Sequence, residues 1–219
     1  MKILFDVDGV LIDGGDCDSA RRKPWSAALQ QDLGVDPARF DAAFFAPGGD
    51  GARSLMQRCL RGELDLQLAL ERVLRGLDCE VRAEVFIDYW FRKDSCVNVE
   101  MLAAVEHLAA QSGVELYLAT GQEHRRADYL WNELGFRRYF RGMFYSARVG
   151  HLKTEPEFFA AIHRALGDRP PPLFFDDQPE VVRLARRAGF DATVVYSVAE
   201  VVEHPRLRQF FRHLPREGD

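Results

Sequence analysis

Two acids bracket a single apolar residue ahead of a glycine near the start of the chain. Asp6-Val7-Asp8-Gly9 directly follows the apolar run Ile3-Leu4-Phe5. Three more polar groups stand at comparable points: Thr120 after Val114–Ala119, Lys153 in a connecting segment, and Asp176-Asp177 after Leu173-Phe174-Phe175. If those apolar runs are strands of a parallel sheet, the acids and Thr120 leave the carboxyl ends of strands, where such sheets bind ligands, and Lys153 lies in a connection between them. Carboxylates gathered in one crevice raise each other's pKa unless a cation neutralises them. Mg²⁺ is the natural candidate, since it takes oxygen ligands and keeps several waters or phosphate oxygens in its octahedron.

Other spacings exclude other chemistries. The six histidines form no HExxH pair and the cysteines Cys17, Cys59, Cys79 and Cys96 no CxxC pair, so neither a zinc enzyme nor a disulfide scaffold is expected. Read this way, the four cysteines are reduced thiols of a cytoplasmic protein. Gly48-Gly49-Asp50-Gly51 has no lysine in P-loop register and reads as a turn. Arg21-Arg22-Lys23 and the Arg183, Arg186, Arg187 face read as solvated charge. Phe44-Phe45, Tyr89-Trp90-Phe91 and Phe210-Phe211 read as packing, with Trp25 and Tyr89 the aromatics best placed to meet a substrate.

The elements that must position these groups alternate in type. Lys2–Asp6, Val114–Ala119, Met143–Ser146, Leu173–Phe175 and Thr193–Tyr196 are predicted strands. Helices are predicted around Met101–Leu108, over His124–Leu134, around Phe158–Leu166 from a Pro156 start, and over Glu180–Ala188, with Gly113, Gly135, Gly167 and Gly189 at their ends. That alternation specifies an α/β fold with a Rossmann-like parallel sheet covered on both faces. Between the first two strands no strand candidate occurs. Pro24–Leu33, Pro37–Phe45, Ala52–Arg61, Leu66–Leu77 and Val81–Phe91 all read as helical. The expected organisation is a core of residues 1–13 and 97–219 with an α-helical cap, residues 14–96, inserted after the first acidic motif. Hinges fall near Asp13–Cys17 and Cys96–Val99.

In order and context, these segments resemble the haloacid dehalogenase (HAD) superfamily. Phe5-Asp6-Val7-Asp8-Gly9-Val10-Leu11 is similar to its first motif and Leu118-Ala119-Thr120-Gly121 to its second. The segment Ser146 to Phe158, with Lys153 and Pro156, is similar to its third, and Phe174 to Glu180 to its fourth. The resemblance implies an enzyme, a Mg²⁺-dependent phosphomonoester hydrolase acting on a small phosphorylated metabolite. It implies Asp6 as nucleophile and Asp8 as acid and base, with Thr120, Gly121 and Lys153 on the phosphoryl group. The metal falls to Asp6, Asp8 (through its carbonyl) and Asp176. Asp177 either completes the metal shell through water or orients Lys153, and Glu180 stands where many members have Asp. Thr154 replaces the Pro that usually follows the lysine. The insertion after the first motif is similar to the family's first cap class. The presence of Asp8 favours phosphate chemistry over dehalogenation, which needs no such second acid.

Two rivals follow from the same resemblance: a phosphomutase of the β-phosphoglucomutase type, and a non-catalytic phosphate- or partner-binding protein. The 219 residues carry 29 Lys plus Arg against 34 Asp plus Glu, a net charge of −5. Mild acidity gives no bulk attraction to nucleic acid or to an anionic membrane. No apolar run reaches the roughly 18 residues that a membrane span needs.

Overall fold

A computed structural model describes residues 1–13, 24–167 and 170–212. Its centre is a five-stranded, all-parallel sheet in the order β3-β2-β1-β4-β5. The strands are β1 (Lys2–Phe5), β2 (Glu115–Thr120), β3 (Gly142–Tyr145), β4 (Leu173–Asp176) and β5 (Asp191–Val194). Strand β1 lies in the middle and is buried on both faces, which is why it reads as an unbroken apolar run. Ile3 and Phe5 face one apolar cluster, while Leu4 faces another with Phe158, Phe159 and Phe174.

Every described helix between β1 and β2 precedes residue 110. The first five are α1 (Leu29–Leu33), α2 (Pro37–Phe44), α3 (Leu55–Leu60), α4 (Leu66–Gly76) and α5 (Ala83–Lys93). They share a core of their own, in which Phe40, Phe44 and Phe86 are fully buried. Burying each such side chain contributes about 1.5–3 kcal/mol to holding these helices against one another. Next come α6 (Val99–Ala109), α7 (His124–Asn132), α8 (Ser146–Val149), α9 (Pro156–Leu166), α10 (Pro179–Arg187), α11 (Ala199–Val202) and α12 (Arg208–Phe211). Among the described residues no helix is long and apolar enough to cross a membrane.

Several boundaries depart from the sequence reading for local reasons. Pro24–Leu33 divides into a 3₁₀ turn, Trp25–Ala28, and α1. Helix α3 begins at Leu55 rather than Ala52 because Ser54 forms a capping box with Gln57, each side chain bonding the other's backbone N–H. Strand β5 starts at Asp191, where its N–H meets Pro172 O, and Tyr196 is exposed beyond the strand. The helices α8, α11 and α12 were not anticipated. Residues 49–51 form the expected turn, whereas Arg21-Arg22-Lys23 and Cys17 lie outside the described residues.

Chain crossing into and out of the cap is paired. Ile12 and Val97 form an antiparallel bridge, Asp13 N–H donates to Cys96 O at 2.8 Å, and Asn98 N–H donates to Leu11 O at 2.9 Å. Cys59 and Cys79 are free thiols, but Cys96 is disulfide-bonded, which overturns the expectation of four reduced cysteines. A disulfide depends on proximity in the fold, and spacing along the chain carried no sign of it.

Candidate active site

The site is assembled at the carboxyl edge of the sheet. Asp6 N–H continues the ladder by donating to Phe175 O at 2.9 Å, which aims the Asp6 side chain out of β1. Asp176 ends β4, and its Oδ1 accepts from Gln178 N–H at 2.9 Å. Thr120 ends β2 and is fully buried. Lys153 arrives on the loop before α9, held where its N–H meets Ser146 Oγ at 3.2 Å. Its Nζ lies 2.5 Å from Asp6 Oδ2 and 2.9 Å from Asp176 Oδ2. Asp6, Lys153 and Asp176, far apart in the chain, are thus brought into contact.

One ammonium does not satisfy this cluster. Asp6, Asp176 and Asp177 offer oxygens that all lie within 4.8 Å of one another. Asp6 Oδ1 and Asp177 Oδ1 are buried without a hydrogen-bond partner. Burial and the Asp6 charge push Asp176 up to about 6, against partial relief from Lys153. Burial and Asp6 likewise raise Asp177. Burial alone would lower Lys153, but Asp6 and Asp176 outweigh it and hold the ammonium firmly charged. Orphaned carboxylate oxygens facing one point, with no nitrogen or sulfur among them, suit a small hard cation such as Mg²⁺.

Asp8 faces a different space. Its side chain opens to the cleft between cap and core, yet protein surrounds that cleft closely. Desolvation, with Asp6 and Asp94 adding to it against Arg126, pushes Asp8 up to about 6. Beside it is a cavity of about 130 Å³, with Gly121, Gln122 and Arg126 on the core side and Met56, Leu66 and Trp90 on the cap side. Asp8 Oδ2 accepts from Gln122 Nε2 at 2.5 Å.

Two residues near the site carried no signal in the sequence reading. Gln122 is one. The other is Arg126, an arginine on the buried face of α7, whose N-terminus is capped by Glu123. The Arg126 guanidinium donates to Phe91 O at 3.0 Å, Ser95 Oγ at 2.8 Å and Asp94 O at 2.5 Å, and packs against the Phe91 and Tyr129 rings. It therefore clips the exit of the cap to the core. Arg125–Asp65 and Arg61–Glu155 ion pairs add further cap–core ties. At Gly62, whose φ of +71° favours glycine, a Cβ would come within 2.7 Å of Ala147 O, so cap and core backbones touch there.

Glu180 is not brought to the cluster. It sits in the first turn of α10 with a side chain 84% exposed, paired to Arg183 at 3.1 Å. Neither Trp25 nor Tyr89 lines the cavity: Trp25 stacks on Trp90 at 4.8 Å, and Tyr89 Oη donates to Asp32 Oδ2 at 3.0 Å. Trp90 and Phe91 line it instead.

A central parallel sheet with carboxylates, a hydroxyl and a lysine at its carboxyl edge, under a helical cap, places the chain in the class of capped, Rossmann-like α/β folds. The haloacid dehalogenase-like hydrolase family matches residues 3–189, and the chain belongs to that family. A curated relative, fructose-1-phosphate phosphatase YqaB of Escherichia coli, is 26% identical over 200 residues, covering 88% of this chain and 95% of its own. A HAD family enzyme of Bacteroides thetaiotaomicron, solved with magnesium and inorganic phosphate, superimposes with a TM-score of 0.68 at 16% identity, over 88% of this chain and 92% of that one. L-2-haloacid dehalogenase of Xanthobacter autotrophicus superimposes with a TM-score of 0.56 at 16% identity, over 89% and 76%. The last two likenesses concern the fold, which hosts more than one chemistry; the site must distinguish among them.

Proposed function

We propose that this hydrolase is a Mg²⁺-dependent phosphatase that releases phosphate from a small phosphorylated metabolite of the sugar-phosphate class. The observation that carries this reading is the Asp6–Lys153–Asp176 cluster with its orphaned carboxylate oxygens, next to a second acid, Asp8, facing the cleft. The name of the Escherichia coli relative supports the substrate class.

The chain's own residues divide the reaction as follows. An Asp6 oxygen attacks phosphorus, forming the aspartyl-phosphate as the bond to the leaving oxygen breaks. Asp8 gives its proton to that oxygen, then takes one from the water that attacks the aspartyl-phosphate and restores Asp6. A carboxyl raised to about 6 is suited to both roles near neutral pH. Thr120 Oγ1 and the Gly121 N–H hold phosphoryl oxygens, and Lys153 offsets their charge while keeping Asp6 in place. Asp6, the Asp8 carbonyl and Asp176 would hold the Mg²⁺, with Asp177 completing its shell. When bound, the ion supplies charge neutralisation at the phosphoryl oxygens. Glu180 has no part in this reading. In this reading residues 1–13 and 97–219 form the catalytic core, and the cap, residues 14–96, excludes bulk water during the first step.

The test is a panel of phosphoesters including fructose 1-phosphate, assayed with and without Mg²⁺ for both free phosphate and isomerised sugar phosphate. Mg²⁺-dependent phosphate release is expected. Isomerised product without phosphate would assign a mutase, and inactivity across the panel would assign a binding protein. Asp6→Asn is expected to abolish release while leaving the circular dichroism spectrum unchanged.

A further inference from the structure

We infer that Gln122 is a positioning residue that fixes the proton-transfer rotamer of Asp8. The inference rests on the phosphatase reading above, since only there does Asp8 act as an acid.

The Gln122 side chain is 4% exposed, an unusual place for a carboxamide without a task. Its Nε2 donates to Asp8 Oδ2 at 2.5 Å and reaches Thr120 Oγ1 at 3.5 Å. Chemistry fixes the sense of the amide, because reversing it would set Oε1 against a carboxylate oxygen. Gln122 is itself anchored: its backbone carbonyl accepts from Ala147 N–H at 3.1 Å, tying the loop after β2 to the start of α8. Asp8 stands in the narrow cleft between cap and core, and among the described residues its carboxylate has no other hydrogen bond.

A carboxylate with a single hydrogen bond has more than one staggered rotamer open to it, and one charge-assisted bond to a rigid donor selects among them. With Oδ2 occupied by Gln122, Oδ1 is left to carry the proton. In the first half-reaction the Oδ1–H bond breaks as the leaving oxygen takes the proton. In the second, an O–H bond of the attacking water breaks and its proton returns to Oδ1. An alkoxide leaving group depends on that transfer, while 4-nitrophenolate leaves without it.

The experiment compares the two kinds of ester. Gln122→Met keeps the bulk and removes the donor; Gln122→Asn keeps the amide but shortens its reach. Both should lower kcat/KM, which reports only the steps up to the aspartyl-phosphate, on fructose 1-phosphate or on the best alkyl ester of the panel by roughly tenfold or more beyond their effect on 4-nitrophenyl phosphate. KM should move little. In an Asp8→Ala background, Gln122→Met should cost less than about twofold more, because the oxygen that accepts its hydrogen bond is already gone. Equal losses on the two esters, or full additivity in that cycle, would overturn the assignment while leaving an active phosphatase. Should Gln122→Met fail to fold, Gln122→Asn carries the same comparison. If the unaltered enzyme cleaves neither ester, the phosphatase reading falls and this inference with it.

Discussion

Gly9 and the Asp177 carboxylate occupy adjoining space: a Cβ built on Gly9 would lie 2.5 Å from Asp177 Cγ. Gly9 also adopts φ +83°, where a side chain is strained. The glycine after the paired acids thus serves two ends at once, turning the chain and leaving room for the carboxylate from β4's loop. Gly9→Ala is expected to cost about 1–2 kcal/mol in backbone strain and to push Asp177 out of the carboxylate cluster. Calorimetric titration with Mg²⁺ should then show weaker binding; unchanged affinity would separate Asp177 from the metal.

Lys153 links Asp6 to Asp176, and its removal leaves like charges facing each other. Lys153→Met should lower kcat by at least about a hundredfold, since phosphoryl transfer depends on charge neutralisation. The same variant should bind Mg²⁺ no more weakly than the parent, because a competing cation has gone. Loss of both properties would mean that the lysine mainly holds the loop before α9.

Burial raises Asp8 and Asp176 to about 6 in the folded protein, above the ordinary 3.8. Between those values the folded chain binds more protons than the unfolded one, so in metal chelator its stability should rise as pH falls from 7 towards 4. The gain is about 2 kcal/mol for the buried Asp176 and smaller for Asp8, which solvent screens at the cleft. Urea midpoints across that range check the sign. Mg²⁺ should reverse the trend, because it binds the deprotonated carboxylates and its affinity falls with pH.

Arg126 closes the gap between α7 and the end of the cap. Arg126→Ala would strip Phe91 O, Asp94 O and Ser95 Oγ of a charged donor, a loss of about 2–4 kcal/mol at a buried site. Thermal unfolding should show the loss. Proteolysis should then cut near residues 91–98 sooner than elsewhere. A melt within a degree or so of the parent's would show that the cap is held by its other ties.

The carboxylate cluster was legible in the sequence because each member follows a strand directly. A buried parallel strand is a continuous apolar run, and the residue that ends it is easily found. Chain order did the rest, allowing Lys153, an ordinary lysine in isolation, to be placed by its neighbours. Gln122 and Arg126 were not legible, because their partners, Asp8 and the carbonyls of Phe91 and Asp94, lie far away in the chain. A weak sign existed for Arg126: it stands next to Ala127 and four residues before Leu130, on the face that α7 buries. Trp25 and Tyr89 misled for the opposite reason, since composition cannot tell a ring in the cap's core from one at its mouth. Glu180 sat in a motif register, but a helix turns 100° per residue, and the first turn of α10 carries it outwards.

The paired segments Leu11–Asp13 and Cys96–Asn98 mean that the cap's two ends meet. An insertion with adjoining ends imposes no span on its host: it can lengthen, shrink or be exchanged without altering the distances among Asp6, Lys153 and Asp176. Change in the covering helices is therefore uncoupled from the placement of the carboxylates and the lysine at the sheet edge.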